Sequence, residues 1–512
     1  QGPLFEGNPF TTVPEDVAND DLPPDVRVLS DFTAEDCIDE GRAMLQLIHD
    51  VAPGAAGAFH TAFNGQADFA NGILELAYQA GSDVIVDDII YFEEPMFADG
   101  ILAQAVDIVK GWGVPYFSAA GNYERMSYES EFRPSGEVGL MGERHDFDPS
   151  RGVDPLQSVT VGPGESTIIS FQWAERYFSV SGEPGSASDL DFLFYFNDGN
   201  LVDFCDADNL ADTVCQFAGL TANMGNDPTE VAEISNPLDK PINVNVGIEL
   251  YSGPAPRLMK YVVFAGGIGA FDPNEFDTES PTIYGHANAV GAEAVGSASF
   301  SQTEEFPQPD PLGLVDVACI PACLDYFSSA GGVPILFNRE GNRLTKPEVR
   351  LKPGITGPDG GNTTFFFSDS IRDEDEFPNF FGTSASAPHV AAATALAISA
   401  RGEGIARRGK FCMCRPEDNR NLKVKPRKAL DLLNKGARFR DCAALQPDGY
   451  LDALHATAQD MSLRAFPADV FPQDDGGGTA VPVPDAEGFD FDTGFGFIDA
   501  VEFFDVVADV YK

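Results

Sequence analysis

The sequence predicts an α/β domain with a mainly parallel sheet, interrupted by an all-β block. Three observations predict it. Residues 26–122 alternate short β-like runs with stretches of helical spacing, as strand–helix–strand units require. Residues 158–264 replace that texture with alternating apolar and polar runs separated by Gly, Pro, Asn and Asp, the pattern of antiparallel strands. From Ile283 the first texture returns and leads to a long helix of small residues beginning near Ser384.

In the first part, residues 26–29, 83–86 and 114–118 read as buried strands, and Met44, Leu47, Ile48 and Val51 share one helical face. In the middle block, 158–161, 167–171, 192–196, 242–246 and 261–264 read as strands, with a turn at Asn197-Asp198-Gly199. The block has the size of one β-sandwich. Such a block inserts without disturbing its host if its ends lie close together. The expected division is 1–130 for the first part of the α/β domain, 131–265 for the inserted β-sandwich and 266–512 for the second part. The stretch Asp474-Asp475-Gly476-Gly477-Gly478 reads as a surface loop.

Composition limits the function classes. With 512 residues, 43% of them hydrophobic and 41 of them Phe, the chain has ample core material. Its 81 acidic against 32 basic residues, a net charge of -49, argue against nucleic acid and anionic membrane surfaces as partners. They suit a solvated surface and offer diffuse sites for calcium. No apolar run is long enough to predict a membrane span. The start, Gln1-Gly2-Pro3, lacks signal-peptide character and reads as a mature end left by processing. Eight cysteines include the near neighbours Cys205 and Cys215, Cys319 and Cys323, and Cys412 and Cys414 upstream of Cys442. This predicts disulfides and a secreted or cell-surface protein. The lack of a Cys-x-x-Cys pair and the scatter of the six histidines argue against zinc. Asn362-Thr363-Thr364 is a glycosylation sequon, a pattern short enough to recur by chance. A carbohydrate-binding role for the β block would call for an exposed aromatic row, and none can be assigned in it.

The chemistry centres on Phe381-Gly382-Thr383-Ser384-Ala385-Ser386-Ala387-Pro388-His389-Val390-Ala391. A serine here opens a helix, where unpaired amides and the positive dipole end stabilise developing negative charge. Serine also serves in such places as a plain helix cap. The alanines that follow allow close packing of the helix, and Pro388 is expected to fall in its first turn.

This segment matches, almost residue for residue, the Gly-Thr-Ser-x-Ser-x-Pro-His motif of the subtilisin-like serine peptidases, and the chain resembles that family. In the family's order, Val28-Leu29-Ser30-Asp31 is similar to the strand ending in the catalytic aspartate. Val51-Ala52-Pro53-Gly54-Ala55 is similar to the turn after the histidine-bearing helix, and Ser118-Ala119-Ala120-Gly121-Asn122 to the segment ending in the oxyanion asparagine. His286-Ala287-Asn288-Ala289 with Ala294-Val295-Gly296, the run Phe327-Ser328-Ser329-Ala330-Gly331, the stretch 352–360 and Gly494-Phe495-Gly496-Phe497-Ile498-Asp499-Ala500 resemble later segments of the family's core. The likeness spans roughly 25–125 and 265–505, and the β block resembles the jelly-roll domains attached to some bacterial subtilases. It implies a subtilisin-like three-layer fold and a secreted serine endopeptidase acting on proteins or peptides. It also implies that Ser384 is the nucleophile, Asn122 and the Ser384 amide the oxyanion donors, and His389 structural. No cofactor is implied for the chemistry; calcium remains open as a structural ion, with Asp189 and Asp191 as ligands or, equally, as alternating hairpin residues.

The departure from the family is Asp39-Glu40-Gly41, which puts Glu40 where the family has its histidine. His49 lies nine residues beyond it, near the far end of the same helix. Sedolisins, acid peptidases of similar fold, resemble this arrangement through their Ser-Glu-Asp triad. They place the aspartate one helical turn after the glutamate, where this chain has Met44, so Asp31 becomes the expected partner. They also have aspartate in the oxyanion hole, where this chain keeps Asn122. The expectation is therefore that Glu40 accepts the Ser384 proton, Asp31 orients it, and activity favours acidic pH. Two alternatives stay open. Asp39 caps the helix and Glu40 is a surface anion beside Glu35 and Asp36; or the chain keeps the fold as a non-catalytic extracellular structural or binding module. Asp87 and Asp88 fall where subtilases line the substrate channel. One of them is placed to face Ser384 and share a proton with Glu40, or both are solvated residues at a strand end.

Overall fold

The computed structural model describes residues 11–400 apart from 34–37, 151, 207–209, 211, 219, 266–268, 304–321 and 371–374. Beyond 400 it describes three short strands between 411 and 439, His455, 491–494 and 498. Glu35, Asp36, Cys319, Cys442, the 474–478 stretch and most of the 494–500 motif lie outside the described residues, and at Cys412 and Cys414 only the backbone is described.

The first part supplies helices α1 (Val13–Asn19), α2 (Glu40–Val51), α3 (Gln66–Glu75) and α4 (Ile101–Gly111), and strands β1 (Arg27–Ser30), β2 (Ala58–His60), β3 (Ile85–Asp87) and β4 (Tyr116–Ala119). The β1 run is a strand, but it is not buried as expected. It pairs in parallel with β2 alone, and Val28 is 54% exposed. Its apolar residues therefore mark a half-solvated edge rather than the centre of the sheet.

An antiparallel block follows. One sheet contains β5 (Ser127–Ser130), β9 (Glu165–Trp173), β11 (Cys215–Phe217), β12 (Thr229–Asn236) and β14 (Met259–Phe264), in the order β11-β12-β9-β14-β5. The other contains β6 (Pro134–Val138), β7 (Glu143–His145), β8 (Gln157–Val161), β10 (Asp189–Phe196), β13 (Ile242–Ser252) and β15 (Phe271–Pro273). Its order is β15-β8-β13-β7-β6, with β10 also on β13. The alternation in β10 sends Leu190, Phe192 and Phe194 inward onto Ile169, Phe171, Trp173, Val244 and Val246. These residues make one core between the two sheets, which run from Ser127 to Pro273. A short helix, α5 (Phe178–Ser181), and the Cys205–Cys215 disulfide lie in the connections.

The chain then returns through β16 (Ala292–Ser299), the hairpin of β17 (Ile335–Phe337) with β18 (Arg343–Glu348), β19 (Ile355–Asp359) and α6 (Thr383–Ala400). Strands β19-β16-β4-β3 form a four-stranded sheet, parallel throughout. Every residue of β16 is buried, as a parallel strand covered on both faces requires. Tyr116 and Ile85 pack on α3 and α4 on one face, and Phe117, Val295 and Ile355 pack on α6 on the other. The mixed α/β class predicted from texture is thus the observed one. Gly357 lets α6 approach closely: a Cβ there would meet Ser386 O at 3.0 Å and a Val390 methyl at 2.7 Å. Helix α6 begins at Thr383, so Pro388 lies inside the helix rather than in its first turn. Lacking an N–H, it leaves the Ser384 carbonyl without its usual helical donor.

The antiparallel block is bonded to the α/β part through Gln172, which is fully buried. Its amide donates to Glu94 O at 2.8 Å, and its oxygen accepts from Met96 N at 2.9 Å and the Tyr177 hydroxyl at 2.7 Å. Met96, Phe97 and Tyr284 pack there against Tyr177, Val262 and Phe264.

Buried carboxyls in the block tie its stability to pH. Burial, with Asp189 and Glu249 nearby, pushes Asp191 up to about 7; burial pushes Glu230, only 1% exposed, up to about 8. A carboxyl that holds its proton more tightly when folded stabilises the fold fully below its unfolded pKa, and the effect is lost as pH rises through the folded one. One such group removes at most about 1.4 kcal/mol per pH unit. Glu230→Gln should therefore flatten the fall in melting temperature between about pH 5 and 8, the upper limit being the raised Glu230 value, and leave the variant more stable than wild type at the alkaline end. Thermal unfolding across that range checks it.

Candidate functional site

The carboxyl-terminal ends of β3 and β4 meet the start of α6. Side chains alternate along β3, so Ile85 faces the α3–α4 layer and Val86 the α6 layer. The next two residues diverge likewise: Asp87 meets Tyr116, Ser118 and His286, whereas Asp88 meets Glu40 and Ser384. After β4 the chain turns at Gly121, with φ at 102°, and places Asn122 beside α6. Gly121 N donates to Thr383 Oγ1 at 3.0 Å, and Asn122 Oδ1 accepts from both Thr383 N and Thr383 Oγ1 at 3.0 Å. Because the backbone amide must donate, Asn122 Oδ1 is fixed there and the Nδ2 donor is left for the cleft. Gly382 adopts φ of 106°, a conformation that favours glycine, and gives its N–H to Asp359 at 2.7 Å.

Ser384 is 8% exposed in the first turn of α6, where backbone amides have no helical acceptor. It lines one cavity with Asp88 and Glu40, close enough that the Ser384 hydroxyl and the Glu40 carboxyl both act on the Asp88 proton. Burial first, then the Asp88 charge and hydrogen bond, raises Glu40 far above the ordinary carboxyl range. Burial also raises Asp88, against the bonds from Glu40 and Ser384 that favour its charged form. Two carboxyls in this position hold one proton between them. The arrangement is a hydroxyl beside a carboxyl pair, with amide donors alongside.

Helix α2 is held by polar contacts that fix Glu40 in this place. Arg42 reaches Asp16 of α1 at 2.7 Å, with Asp16 fully buried, and lies 3.6 Å over the Phe365 ring. Thr364 donates to Asp16 at 2.9 Å, and its backbone N–H donates to Gln46 at 3.0 Å, so the hydroxyl of the sequon's third residue serves packing. Asp39 takes the N-cap position in a left-handed conformation, φ 57°, without a cap hydrogen bond, and its carboxylate pairs with Arg42 at 3.2 Å. Glu40 is accordingly directed at Asp88 and is not a free surface anion.

The sequence places Asp31 as the partner of Glu40, and the structure does not bring them together. Asp31 is exposed and accepts its neighbour's amide, Phe32 N, at 2.9 Å. The reason is the position of β1, which stands outside the four-stranded sheet whose ends carry the site. His49 faces Asp20 at 3.6 Å, and His389 bonds Ala385 O at 2.7 Å within α6. Asp189 and Asp191 lie on β10, and among the described residues no group of three or more His, Cys, Asp or Glu is placed to hold a metal ion. Cys205 and Cys215 are bonded as their proximity suggests, and Cys323 is also disulfide-bonded.

A cavity of about 270 Å³ opens beside the serine. Ser384, Asp88 and Asn122 line it together with Tyr284, Glu94 and His286, the last three nearly inaccessible. His286 Nδ1 lies 2.7 Å from Glu94 Oε1 and Nε2 lies 3.2 Å from Asp87 Oδ1. Burial opposes a charge on His286, but the Glu94 and Asp87 carboxylates raise its pKa well above the usual value. Sequence reasoning missed both Glu94 and the site role of His286. They are 192 residues apart with the antiparallel block between them, and no spacing pattern connects them.

No protein-family model matches the chain, and no curated protein matches it. Among solved structures it is similar to one described as the Clostridium perfringens CspB protease, at 12% identity and a TM-score of 0.43, covering 89% of this chain and 74% of that one. Among the described residues no helix is long and apolar enough to cross a membrane.

The shared proton predicts a stability signature. Raised folded-state values for Glu40 and Asp88 mean that their contribution is full below the unfolded carboxyl range and is lost as pH rises through the folded values. Glu40→Gln keeps a donor toward Asp88 and cannot ionise. At pH near 8 the variant should be more stable than wild type by about 1 kcal/mol or more, with the two converging near pH 4. Denaturant unfolding at the two pH values checks it.

Proposed function

We propose that the protein is a subtilisin-like serine endopeptidase, secreted and acting on protein or peptide substrates, in which a carboxyl pair replaces the histidine. The observation that carries this reading is the grouping of Ser384 with the Asp88 and Glu40 carboxyls around one cavity. The likeness of the Gly382–His389 segment to the family's nucleophile motif supports it, as does the Asn122 amide held beside the serine.

In this mechanism Ser384 Oγ attacks the scissile carbonyl and Asp88 takes its proton. The oxyanion receives Asn122 Nδ2–H and the Ser384 N–H at the positive end of α6. Asp88 then returns the proton to the leaving amine, and a water repeats the sequence on the acyl-enzyme. Glu40 stays protonated and donates to Asp88. Asp88 is taken as the base in this mechanism, and Glu40, the residue the motif comparison suggests, as its proton-holding partner.

Labelling with a serine-reactive fluorophosphonate between about pH 3 and 9 tests the assignment. Ser384→Ala should abolish labelling, and Asp88→Asn should slow it by at least about 100-fold, the usual worth of a general base. Glu40→Gln should keep labelling and the acid limb of the pH–rate profile, which belongs to Asp88 beside a neutral partner. Loss of labelling in Glu40→Gln but not in Asp88→Asn would instead make Glu40 the base. No labelling of folded wild type at any pH would return the chain to the non-catalytic binding module.

A further inference from the structure

We infer that the cavity beside Ser384 is a pocket for a cationic substrate side chain, lysine or arginine, selected by the negative charge that Glu94 and Asp87 leave around His286. The inference deepens the peptidase reading and rests on it for the substrate, but the chemistry of the pocket follows from its own geometry.

The charge count comes from hydrogen bonding. Each ring nitrogen of His286 faces a carboxylate oxygen, at 2.7 Å for Glu94 and 3.2 Å for Asp87, and both can donate only as an imidazolium. One positive charge between two negative ones leaves a net charge of minus one. The two acids differ in what remains to them. Asp87 also accepts from the Ser118 hydroxyl at 2.8 Å and from the Tyr116 hydroxyl, and it does not line the cavity. Glu94 lines the cavity and accepts only His286 Nδ1–H and the His286 backbone N–H, each at 2.7 Å and on different oxygens. Each Glu94 oxygen keeps a lone pair for a further donor.

The rest of the cavity agrees with that charge. Among the described residues that line it there is no lysine or arginine, so His286, already neutralised, is its cation. Two further carboxyls, those of Asp88 and Glu40, line the cavity with Ser384. Ile89, Ile90 and the small residues Ala119 and Ala120 offer apolar wall for an aliphatic stem, and Tyr123 and Tyr284 add aromatic rings to the lining. The site is half-enclosed and its charges are fixed by bonds within the fold. An incoming carboxylate would meet uncompensated repulsion, and a neutral side chain would leave Glu94 oxygens desolvated.

Peptidyl phosphonates that differ only in the side chain next to phosphorus, lysine, leucine, phenylalanine or glutamate, test the pocket beside a small fluorophosphonate lacking a side chain. The lysine probe should inactivate wild type at least about tenfold faster than the leucine or phenylalanine probe, with glutamate slowest. In Glu94→Gln the lysine-to-leucine rate ratio should fall to within about threefold of unity, a ratio that needs no common activity between the two proteins. If the fluorophosphonate labels Ser384 but leucine or phenylalanine equals lysine, the pocket is wrong and the serine reading stands. If the fluorophosphonate does not label, the peptidase reading fails, and calorimetric titration of wild type with butylguanidinium decides the pocket alone. Binding that weakens in Glu94→Gln supports it, and no binding to wild type overturns it. The comparison among probes on wild type holds even if Glu94→Gln does not fold.

Discussion

Two carboxyl groups placed side by side and only partly reached by water do not readily ionise together, and this constraint organises the site. Glu40 and Asp88 arrive from different elements, one from the first turn of α2 and the other from the end of β3, and share one proton. A serine hydroxyl beside such a pair has a carboxyl base in reach without a histidine. The same burial that raises the pair makes alkaline conditions costly for the fold.

Several features keep the pair in register. The Asp16–Arg42 ion pair and the Thr364 contacts hold α2, and Thr383 locks the Asn122 amide in one orientation. On the opposite face of β3, Asp87 is consumed by Tyr116, Ser118 and His286, so adjacent aspartates are kept apart by strand alternation. Charges on the two sides are thus arranged separately, and the serine side sees only the Asp88–Glu40 pair at close range.

The antiparallel block is part of this arrangement and not only an appendage. Gln172 on β9 bonds the backbone of Glu94 and Met96, and Tyr284 donates to Phe92 O at 3.2 Å. Since Glu94 lines the cavity, a strand of the inserted block supports the backbone of a cavity residue. A buried amide with all its hydrogen bonds made is rigid because each broken bond would leave an unsatisfied group, at about 1–3 kcal/mol.

The sequence by itself determined the class of the fold and much of the site's membership. Texture alone separated the parallel α/β part from the antiparallel block, because periods of 2 and 3.6 reflect which face of an element is buried. Local motif likeness singled out Ser384, Asn122 and Glu40, and strand-end position drew Asp87 and Asp88 into view. What only the tertiary structure decided is which of these residues touch. Asp31 looked like the natural partner of Glu40, yet β1 pairs outside the central sheet and leaves it exposed, while Asp88 bridges to the serine. Glu94 and His286, separated by the whole inserted block, meet because β4 and β16 pair and the block holds the 92–96 segment against them. Contacts between residues so far apart are fixed by sheet pairing and core packing, and a linear pattern records neither.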